Sequence, residues 1–304
     1  MFKSKAIALI ALLLLLVGVI GAAVTFPNSN LKEFLLSQQQ TNKFTKKFHQ
    51  EKNISEKNFS SINLDCDSVN VEVVSTASGP INVELNGKYR DDKAPEIKTE
   101  ISNDTLYIRL KSKQNWFNFD FSNWSRDLTL KVSIPVSIDG KNLTIRNDSG
   151  NVNMSNLDMS NIDVEVDSGN VDLRSIVASN LKVDSDSSNI DLFRIDAALI
   201  ESNVDSGNLK MENVDGVLKA SVDSGNINLN TDTLDREIDF NVDSGNVYIR
   251  SKEKPSDAQI RFRIDSGSAI IFGQTYQNQE EWVTIGNGKN LVKLSLDSGS
   301  LSIQ

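Results

Sequence analysis

A segment of 19 residues that recurs along the chain decides the fold. Residues 148–166 read DSGNVNMSNLDMSNIDVEV, and residues 167–185 repeat the pattern as DSGNVDLRSIVASNLKVDS. The opening tetrapeptide, Asp-Ser-Gly-Asn or a close variant, occurs eight times, at steps of 19, 19, 19, 18, 20, 22 and 32 residues. Its copies begin at Asp148, Asp167, Asp186, Asp205, Asp223, Asp243, Asp265 and Asp297. A fixed period near twenty residues is typical of a solenoid.

Apolar and polar residues alternate between the tetrapeptides. The positions four and six residues after each Asp are apolar in all eight copies, as is the position five residues before it. The position four residues before each Asp is polar in every copy. This alternation predicts short strands that bury one face. A helical repeat is excluded because the corner tetrapeptide interrupts every period, and a propeller blade would need about 40 residues.

We therefore predict an all-β fold, a parallel β-helix with coils of about 19 residues that stack ~4.8 Å apart. A right-handed winding is expected from the handedness of parallel crossovers. Residues 60–141 contain further alternating stretches and a degenerate corner at Asp67-Ser68, so we expect the N-terminal cap of the solenoid there. Cys66 in this region is interpreted as a small buried side chain, with a reactive thiol as the alternative.

The tetrapeptides are predicted to form the corners of the coils. Gly accepts a positive φ, Asp can accept a backbone hydrogen bond, and Asn can form a ladder with its copies above and below. Besides the eight Asp residues, the predicted corner residues are Gly150, Gly169, Gly207, Gly225, Gly245, Gly267 and Gly299, while Ser188 replaces one Gly and Ser268 and Ser300 replace Asn.

Stacked Asp residues about 5 Å apart repel by about 0.9 kcal/mol in water and by more near a protein surface. Backbone N–H donors could offset this repulsion, and so could Ca²⁺ bound between adjacent coils. The corners lack the Gly-Gly-x-Gly-x-Asp pattern of calcium-binding β-rolls, so we predict no specific metal.

The N-terminus resembles a membrane anchor. Lys3 and Lys5 precede an uncharged run from Ala6 to Val24, and ~20 apolar residues span a bilayer core. This predicts a single N-terminal transmembrane helix in the plasma membrane with an extracellular C-terminal body. Cleavage after the small residues Gly21-Ala22-Ala23 is the alternative.

Composition and charge divide the chain into four parts. We assign residues 1–24 to the anchor, 25–58 to a basic juxtamembrane linker, 59–141 to the cap region and 142–304 to the solenoid repeats. Residues 1–60 hold eight Lys and three Glu, so +5 of the total charge of −9 lies there and the remainder carries −14. The linker is interpreted as a solvated segment, with an amphipathic helix on the membrane surface as the alternative.

Several functional classes are excluded by composition. The pI near 4.8 argues against a dedicated nucleic-acid binder. The chain has one Cys, Cys66, and one His, His49, which excludes an internal disulfide, a His/Cys zinc site and a Ser-His-Asp or Cys-His catalytic pair in the repeats. We predict no catalytic residues and no cofactor.

The strand repeats resemble a known bacterial family. The run LKVSIP at residues 130–135, then Leu143-Thr144-Ile145 and successive Ser-Gly-Asn-Val corners, is similar to the β-strand-repeat family of unknown function known as the putative-adhesin family, over about residues 60–304. The resemblance implies a β-solenoid that is often membrane-attached and outside the cell. Some members resemble accessory proteins of cell-envelope-stress signalling in Gram-positive bacteria. The family has no established catalytic residues, so none is carried over.

Two aromatic excursions from the repeat are candidate binding segments. The first, residues 114–126, holds Trp116, Phe119 and Trp124, and the second, residues 274–290, holds Tyr276 and Trp282. Long loops on a rigid scaffold often carry binding residues, and aromatic side chains suit contacts with glycans or proteins. The alternative is that these aromatic residues cover the ends of the core.

Three function classes remain open. The first is a non-catalytic surface protein that contacts envelope polymers or a partner, as an adhesin or an envelope-stress accessory. The second is a polysaccharide-cleaving β-helix enzyme, which would need two carboxylates in different environments at one cleft. The third is a regulatory partner of a membrane signalling protein that works through residues 25–58 and the anchor. Self-association through an open solenoid end also stays open.

Overall fold

The fold is all-β, in a computed structural model that describes residues 46–56, 58–89, 96–110, 128–138, 141–277 and 279–304. This confirms the prediction of an all-β, solenoid-like architecture. The strands are β1 (Lys46–Ile54), β2 (Ser61–Ser68), β3 (Asn70–Thr76), β4 (Ile81–Tyr89), β5 (Lys98–Ser102), β6 (Thr105–Leu110), β7 (Thr129–Pro135), β8 (Asn142–Ser149), β9 (Val152–Ser168), β10 (Val171–Ser187), β11 (Ile190–Thr231), β12 (Ile238–Ser251), β13 (Ala258–Ile271), β14 (Gln274–Gln277), β15 (Glu280–Ile285) and β16 (Asn290–Ile303). A single 3-10 turn, Val136–Ile138, follows β7.

Each central coil runs parallel to its neighbours with an offset of one period. Val171 lies beside Val152 on one side and Ile190 on the other, so the register shift equals the 19-residue repeat. Within β10, residues 171–174, 176–178 and 180–185 pair separately with β11, which gives the coil three sides, and Ser187 pairs again at the corner. Long strands that bend at fixed corners therefore build the solenoid.

In four consecutive coils a second corner lies eight residues after the Asp. Asn156, Ser175, Arg194 and Asn213 occupy it with φ between 53° and 57°. This left-handed conformation is uncommon outside glycine, and Asn is the residue that tolerates it best. The sequence analysis missed this corner because its four positions hold three different residue types, so no single residue type marks it. The two Asn residues were the available signal.

The alternating apolar columns fill the interior. Val171, Leu173 and Leu181 are 1%, 0% and 1% exposed, and equivalent residues of the other coils are buried in the same way. In the described residues they form one continuous apolar cluster from Ile54 to Ile303. Each fully buried side chain of this kind contributes roughly 1.5–3 kcal/mol, and does so only against the neighbouring coils.

The last two repeats do not stack in sequence order, which corrects the expectation that each coil lies on the one before it. β16 pairs in parallel with β12 on one side and with β13 on the other, so it lies between two strands that precede it. The outer edge of β13 is already occupied by β14 and β15, which pair with it in antiparallel orientation. β16 therefore adds a coil at the inner edge of β13.

The N-terminal end is also closed by antiparallel strands. The degenerate corner at Asp67-Ser68 stacks against the first full corner, with Ser68 in register with Ser149. β7 extends this side in parallel, and β4 and then β1 follow in antiparallel orientation. Residues 46–54, assigned above to the linker 25–58, thus form a strand, and the compact body begins at Lys46.

The segment predicted to span the membrane, Ala6 to Val24, lies outside the described residues. Within the part of the chain that the structure describes, no helix is long and apolar enough to cross a membrane. Cys66 is fully buried in β2, opposite Asn147 of β8.

Candidate binding surface

The tetrapeptides form one exposed ridge along the solenoid. All eight Asp residues are exposed, and the Ser residues beside them are aligned from coil to coil, as in the row Ser149, Ser168 and Ser187. At one end of the ridge Arg263 donates to both oxygens of Asp265, at 2.8 and 2.9 Å, which raises the pKa of Arg263. Among the described residues, no three His, Cys, Asp or Glu side chains are grouped so that they could hold a metal ion.

The corner glycines are required by the stacking of the coils as well as by φ. Gly225 has a φ of +151°, and a Cβ added there would lie 1.6 Å from the carbonyl oxygen of Gly207. A Cβ on Gly245 would lie 1.5 Å from the carbonyl oxygen of Gly225 in the same way. The backbone of each corner therefore occupies the place where the next corner would carry a side chain.

Ser188 shows how one coil manages without this glycine. Its side chain is 5% exposed and its hydroxyl is hydrogen-bonded to the hydroxyl of Ser185, which is also 5% exposed. Ser185 occupies the column just before Asp, where the next coils carry Val204 and Val222. The two Ser residues thus replace a Gly and a Val together, and each satisfies the other.

Asn side chains connect the corners. The Oδ1 of Asn189 accepts from the backbone N–H of Asn208 at 3.2 Å and from its Nδ2 at 2.9 Å. The Oδ1 of Asn226 accepts from the same two groups of Asn246, at 3.1 and 2.8 Å. The ladder expected from the sequence is therefore present, and it continues to the backbone N–H of Ser300 at 3.1 Å. The corner side chains of the ridge thus hold the stack together.

Trp282 lies on the outer face of the last coil and is the most exposed large apolar side chain in the described residues, at 49%. The antiparallel pairing of β15 with β13 places it beside Arg261, whose guanidinium lies 4.6 Å from the ring centroid. The Nη2 and Nε of Arg261 donate to Oε1 of Glu280 at 2.6 and 2.9 Å. The carboxylate orients the guanidinium, and the guanidinium supports one side of the ring.

Tyr276, the other predicted binding residue of this segment, has a different role. Its ring meets the buried Phe262 edge-on, with centroids 5.0 Å apart, and it is half-buried against the core. Its hydroxyl donates to Oε1 of Gln274 at 2.8 Å. Tyr276 therefore covers the end of the interior, and the structure does not join it with Trp282 in one patch.

A second apolar feature was missed by the sequence analysis. Tyr248 of β12 and Ile270 of β13 are 46% and 44% exposed, and Ser302 of β16 lies in register between them. The small Ser302 therefore separates the two larger side chains. The column five residues after each Asp could have shown this, because it is polar in the first five copies and then holds Tyr248 and Ile270.

The first aromatic segment, residues 114–126, holds the other predicted binding residues. Trp116, Phe119 and Trp124 lie outside the described residues. They stay predictions of the sequence.

Fold and surface together define a class of protein: a β-solenoid of stacked parallel coils, closed at both ends by antiparallel strands, with a filled apolar interior and aromatic side chains on its outer faces. The chain belongs to the Toastrack DUF4097 family, whose model matches residues 59–304. This confirms the resemblance to the putative-adhesin family.

Two solved structures show the same fold. A "putative adhesin" from Bacteroides fragilis is 15% identical, with a TM-score of 0.50, and the match covers 85% of this chain and 97% of that one. A "putative lipid binding protein" from Parabacteroides distasonis is 16% identical, with a TM-score of 0.50 and coverage of 86% and 97%. At these identities the likeness shows the fold alone. No curated protein matches the chain.

Proposed function

We propose that this protein is a non-catalytic, membrane-anchored extracellular solenoid that binds an envelope polymer or a partner protein through its outer face around Trp282. The observation that carries the proposal is the exposed Trp282 ring, supported by Arg261 at 4.6 Å. Trp and Arg are the side chains most enriched among energetically dominant contacts. A ring already held in place loses little side-chain entropy on binding.

The chemistry of this surface suits a flat, partly apolar ligand. Arg261 and Glu280 form an ion pair, so the ring is bordered by one cation and one anion. On the neighbouring strand Lys293 pairs with Asp239, 3.1 Å away. A nearly neutral border beside an exposed ring favours a sugar ring or an apolar protein side chain over a highly charged ligand.

A binding role fits the carboxylates better than a catalytic one. A polysaccharide-cleaving enzyme needs two carboxylates in different environments, on either side of the bond that breaks. The corner Asp residues repeat one exposed environment along a ridge. The two similar structures are described as a "putative adhesin" and a "putative lipid binding protein", which agrees with a non-catalytic role.

Anchoring rests on the N-terminal sequence. The uncharged run from Ala6 to Val24, preceded by Lys3 and Lys5, supports a single-pass protein of the plasma membrane with its body outside the cell. Cell-wall polymers and membrane signalling proteins are both within reach of such a body.

The test is retention of the full-length chain, purified in detergent, on isolated cell-wall polymers and on solubilised membrane proteins from the same cells. Trp282→Ala should weaken retention about tenfold or more, the loss typical of a central contact. Val177→Ala is the matched control, because Val177 is 47% exposed on a different side of the solenoid. Equal retention of the wild type and Trp282→Ala on every matrix would refute the proposal.

The kind of matrix decides between the two forms of the proposal. Retention on wall polymers that depends on Trp282 supports an adhesin-like role, whereas retention only by membrane proteins supports an envelope-stress accessory. Tyr248→Ala compares the second surface directly, because its ring is as exposed but has no described cation stacked on it.

A further inference from the structure

The outward-facing side chains around Trp282 form three cross-strand pairs. β15 and β13 run antiparallel, and alternate residues of a strand share one face. The pairs on the outer face are Glu280 with Arg263, Trp282 with Arg261, and Thr284 with Gln259. The exposed ring therefore has a charged pair on one side along the strands and a neutral amide–hydroxyl pair on the other.

The backbone hydrogen bonds bring the two side chains of each pair close together. The backbone N–H of Ile264 donates to the carbonyl oxygen of Gln279 at 3.1 Å, immediately beside the charged pair. Hydrogen-bonded and non-hydrogen-bonded pairs alternate along antiparallel strands, so all three outward pairs are of the non-hydrogen-bonded kind. Their Cα atoms are then about 4.5 Å apart, the closer of the two spacings. This spacing explains the contact of Arg261 with the ring and brings the amide–hydroxyl pair together in the same way.

A loop borders the neutral end of this surface. A Cβ on Gly288 would lie 3.1 Å from Cγ2 of Thr284 and 3.4 Å from Cβ of Gln259, so the loop of residues 286–289 packs against both side chains. Oδ1 of Asp257 accepts from two backbone N–H groups of this loop, at 2.8 and 3.0 Å. The amide and the hydroxyl thus have a supported position beside the ring.

The cations of β13 and β16 are already neutralised, because each of them pairs with a carboxylate. The pairs are Arg261 with Glu280 at 2.6 Å, Arg263 with Asp265 at 2.8 Å, and Lys293 with Asp239 at 3.1 Å. A polyanion would have to displace one of these carboxylates. It would also approach a body that carries −14, the total of −9 less the +5 of residues 1–60. Charge therefore favours a neutral ligand.

The polar surroundings of the ring suit a sugar better than the centre of a protein interface. On β15 and β13 the outward neighbours of Trp282 are charged, amide or hydroxyl side chains. Leu291 is also exposed, at 41%, but it lies on β16 opposite Gln259 and is separated from β15 by that amide. The centre of a protein interface is a larger apolar patch, whereas a pyranose ring has apolar C–H faces and a rim of hydroxyl groups. One aromatic ring with hydrogen-bonding side chains beside it matches the sugar.

We propose that the surface around Trp282 binds a neutral glycan, with one pyranose ring stacked on the exposed side of the indole and its hydroxyl groups hydrogen-bonded by Gln259 and Thr284. This rests on the proposed function and names the ligand class of the same site. Gln259 offers one carbonyl acceptor and two N–H donors, and Thr284 offers a hydroxyl that both donates and accepts. The indole provides affinity for sugars with a flat C–H face, and the two polar side chains select among them by the positions of their hydroxyl groups.

An array of immobilised oligosaccharides tests the ligand class with the full-length chain in detergent. The array carries neutral hexose and N-acetylhexosamine chains beside chains that contain uronic acid, sialic acid or phosphate groups. We expect binding to at least one neutral chain, weakened about tenfold or more in Trp282→Ala. Binding to charged chains only, or to no glycan, would overturn the inference. The proposed function would survive either result if retention on membrane proteins still depended on Trp282, and it fails separately if Trp282→Ala is retained like the wild type on every matrix.

Two variants of similar size test the selecting residues. Gln259→Leu and Thr284→Val remove hydrogen-bonding groups, so each should weaken binding of the preferred neutral chain about three- to tenfold. Each should also change the order of preference among the neutral chains, which a merely structural loss would not do. Asn241→Leu is the matched control, because Asn241 is an exposed amide on β12, two strands away from β13. Unchanged affinity and order in both variants would overturn the roles of Gln259 and Thr284.

Discussion

Replacing a corner glycine by alanine should reveal how much of the fold depends on close stacking of the coils. In Gly225→Ala two costs combine. The first is a φ of +151°, which costs a residue with a Cβ roughly 1–3 kcal/mol. The second is contact, because the new Cβ would lie 1.6 Å from the carbonyl oxygen of Gly207 and 2.7 Å from its carbonyl carbon.

Relief of this contact requires the two coils to separate by more than 1 Å at the corner. That movement would break the 2.7 Å hydrogen bond from Asn226 to Asn208 and neighbouring strand bonds, each worth about 0.5–1.5 kcal/mol. We therefore expect Gly225→Ala to lower the free energy of unfolding by about 4–6 kcal/mol, which is exceptional for one substitution.

Gly79→Ala is the matched control. Gly79 also has a positive φ, +115°, but a Cβ there meets nothing within 4 Å. It should cost only the backbone term, about 1–2 kcal/mol. Urea unfolding of the two full-length variants, followed by circular dichroism, measures both losses. Equal losses would refute the reasoning, because they would show that φ alone, and not the approach of the coils, demands glycine at the corners.

Two further predictions concern hydrogen bonds of polar side chains, one at the surface and one in the interior. Backbone N–H groups of Asp257 and Ser256, at 2.9 and 3.0 Å, lower the pKa of Asp235 to about 2, and the Ser256 hydroxyl donates to it at 2.7 Å. Because the pKa is lowered, this stabilisation is full above about pH 4 and disappears as the pH falls towards 2. Asp235→Ala should lower the free energy of unfolding by about 1–3 kcal/mol at pH 7 and remove that part of its acid dependence. Urea unfolding at pH 7 and pH 2.5 measures both effects. In the Ser185/Ser188 pair, Ser185→Val alone leaves a buried hydroxyl without its partner and should lower the free energy of unfolding by about 1–3 kcal/mol. The double variant Ser185→Val/Ser188→Gly recreates the usual corner, so its stability should be close to that of the wild type. A double-mutant cycle in which the two losses simply add would contradict this coupling.

The repeated part of the fold could be predicted because the apolar pattern and the turn residues of the sequence indicate the same structure there. The apolar columns beside Leu173 and Leu181 alternate with a period of two, and the tetrapeptide supplies a turn at each step. The strand direction, the buried residues and the Asn ladder follow from that pattern alone. These features repeat, so one misleading residue such as Ser188 does not change the interpretation.

The order of the last coils could not be predicted for the same reason. The strand before each corner has the same apolar columns. Leu294 of β16 and Phe262 of β13 would therefore fit equally well beside Phe240 of β12, and in the structure Leu294 lies there. The choice depends on β14 and β15, which are short and lack the repeat. β1 was missed because its charged residues resemble a solvated linker, and only pairing with β4 makes it a strand.

Of the candidate site, the sequence identified Trp282 but not its surroundings. Arg261 is 21 residues earlier in the chain and reaches the ring only because β15 folds back along β13. Tyr276 could not be distinguished from Trp282 by composition, since the direction of a side chain at an irregular end depends on the local hairpin.

The position of β16 has a consequence for synthesis of the protein. β12 and β13 are synthesised before β16. For a short time the growing chain therefore contains two strands that can pair with each other, although β16 lies between them in the finished fold. If the two join directly, they must separate again to admit the later strand. A chain that stops before residue 290 would therefore lose an interior layer of the stack rather than its tip, and the antiparallel closure made by β14 and β15 would rest on the wrong coil. The complete stack can therefore form only after β16 has been translated.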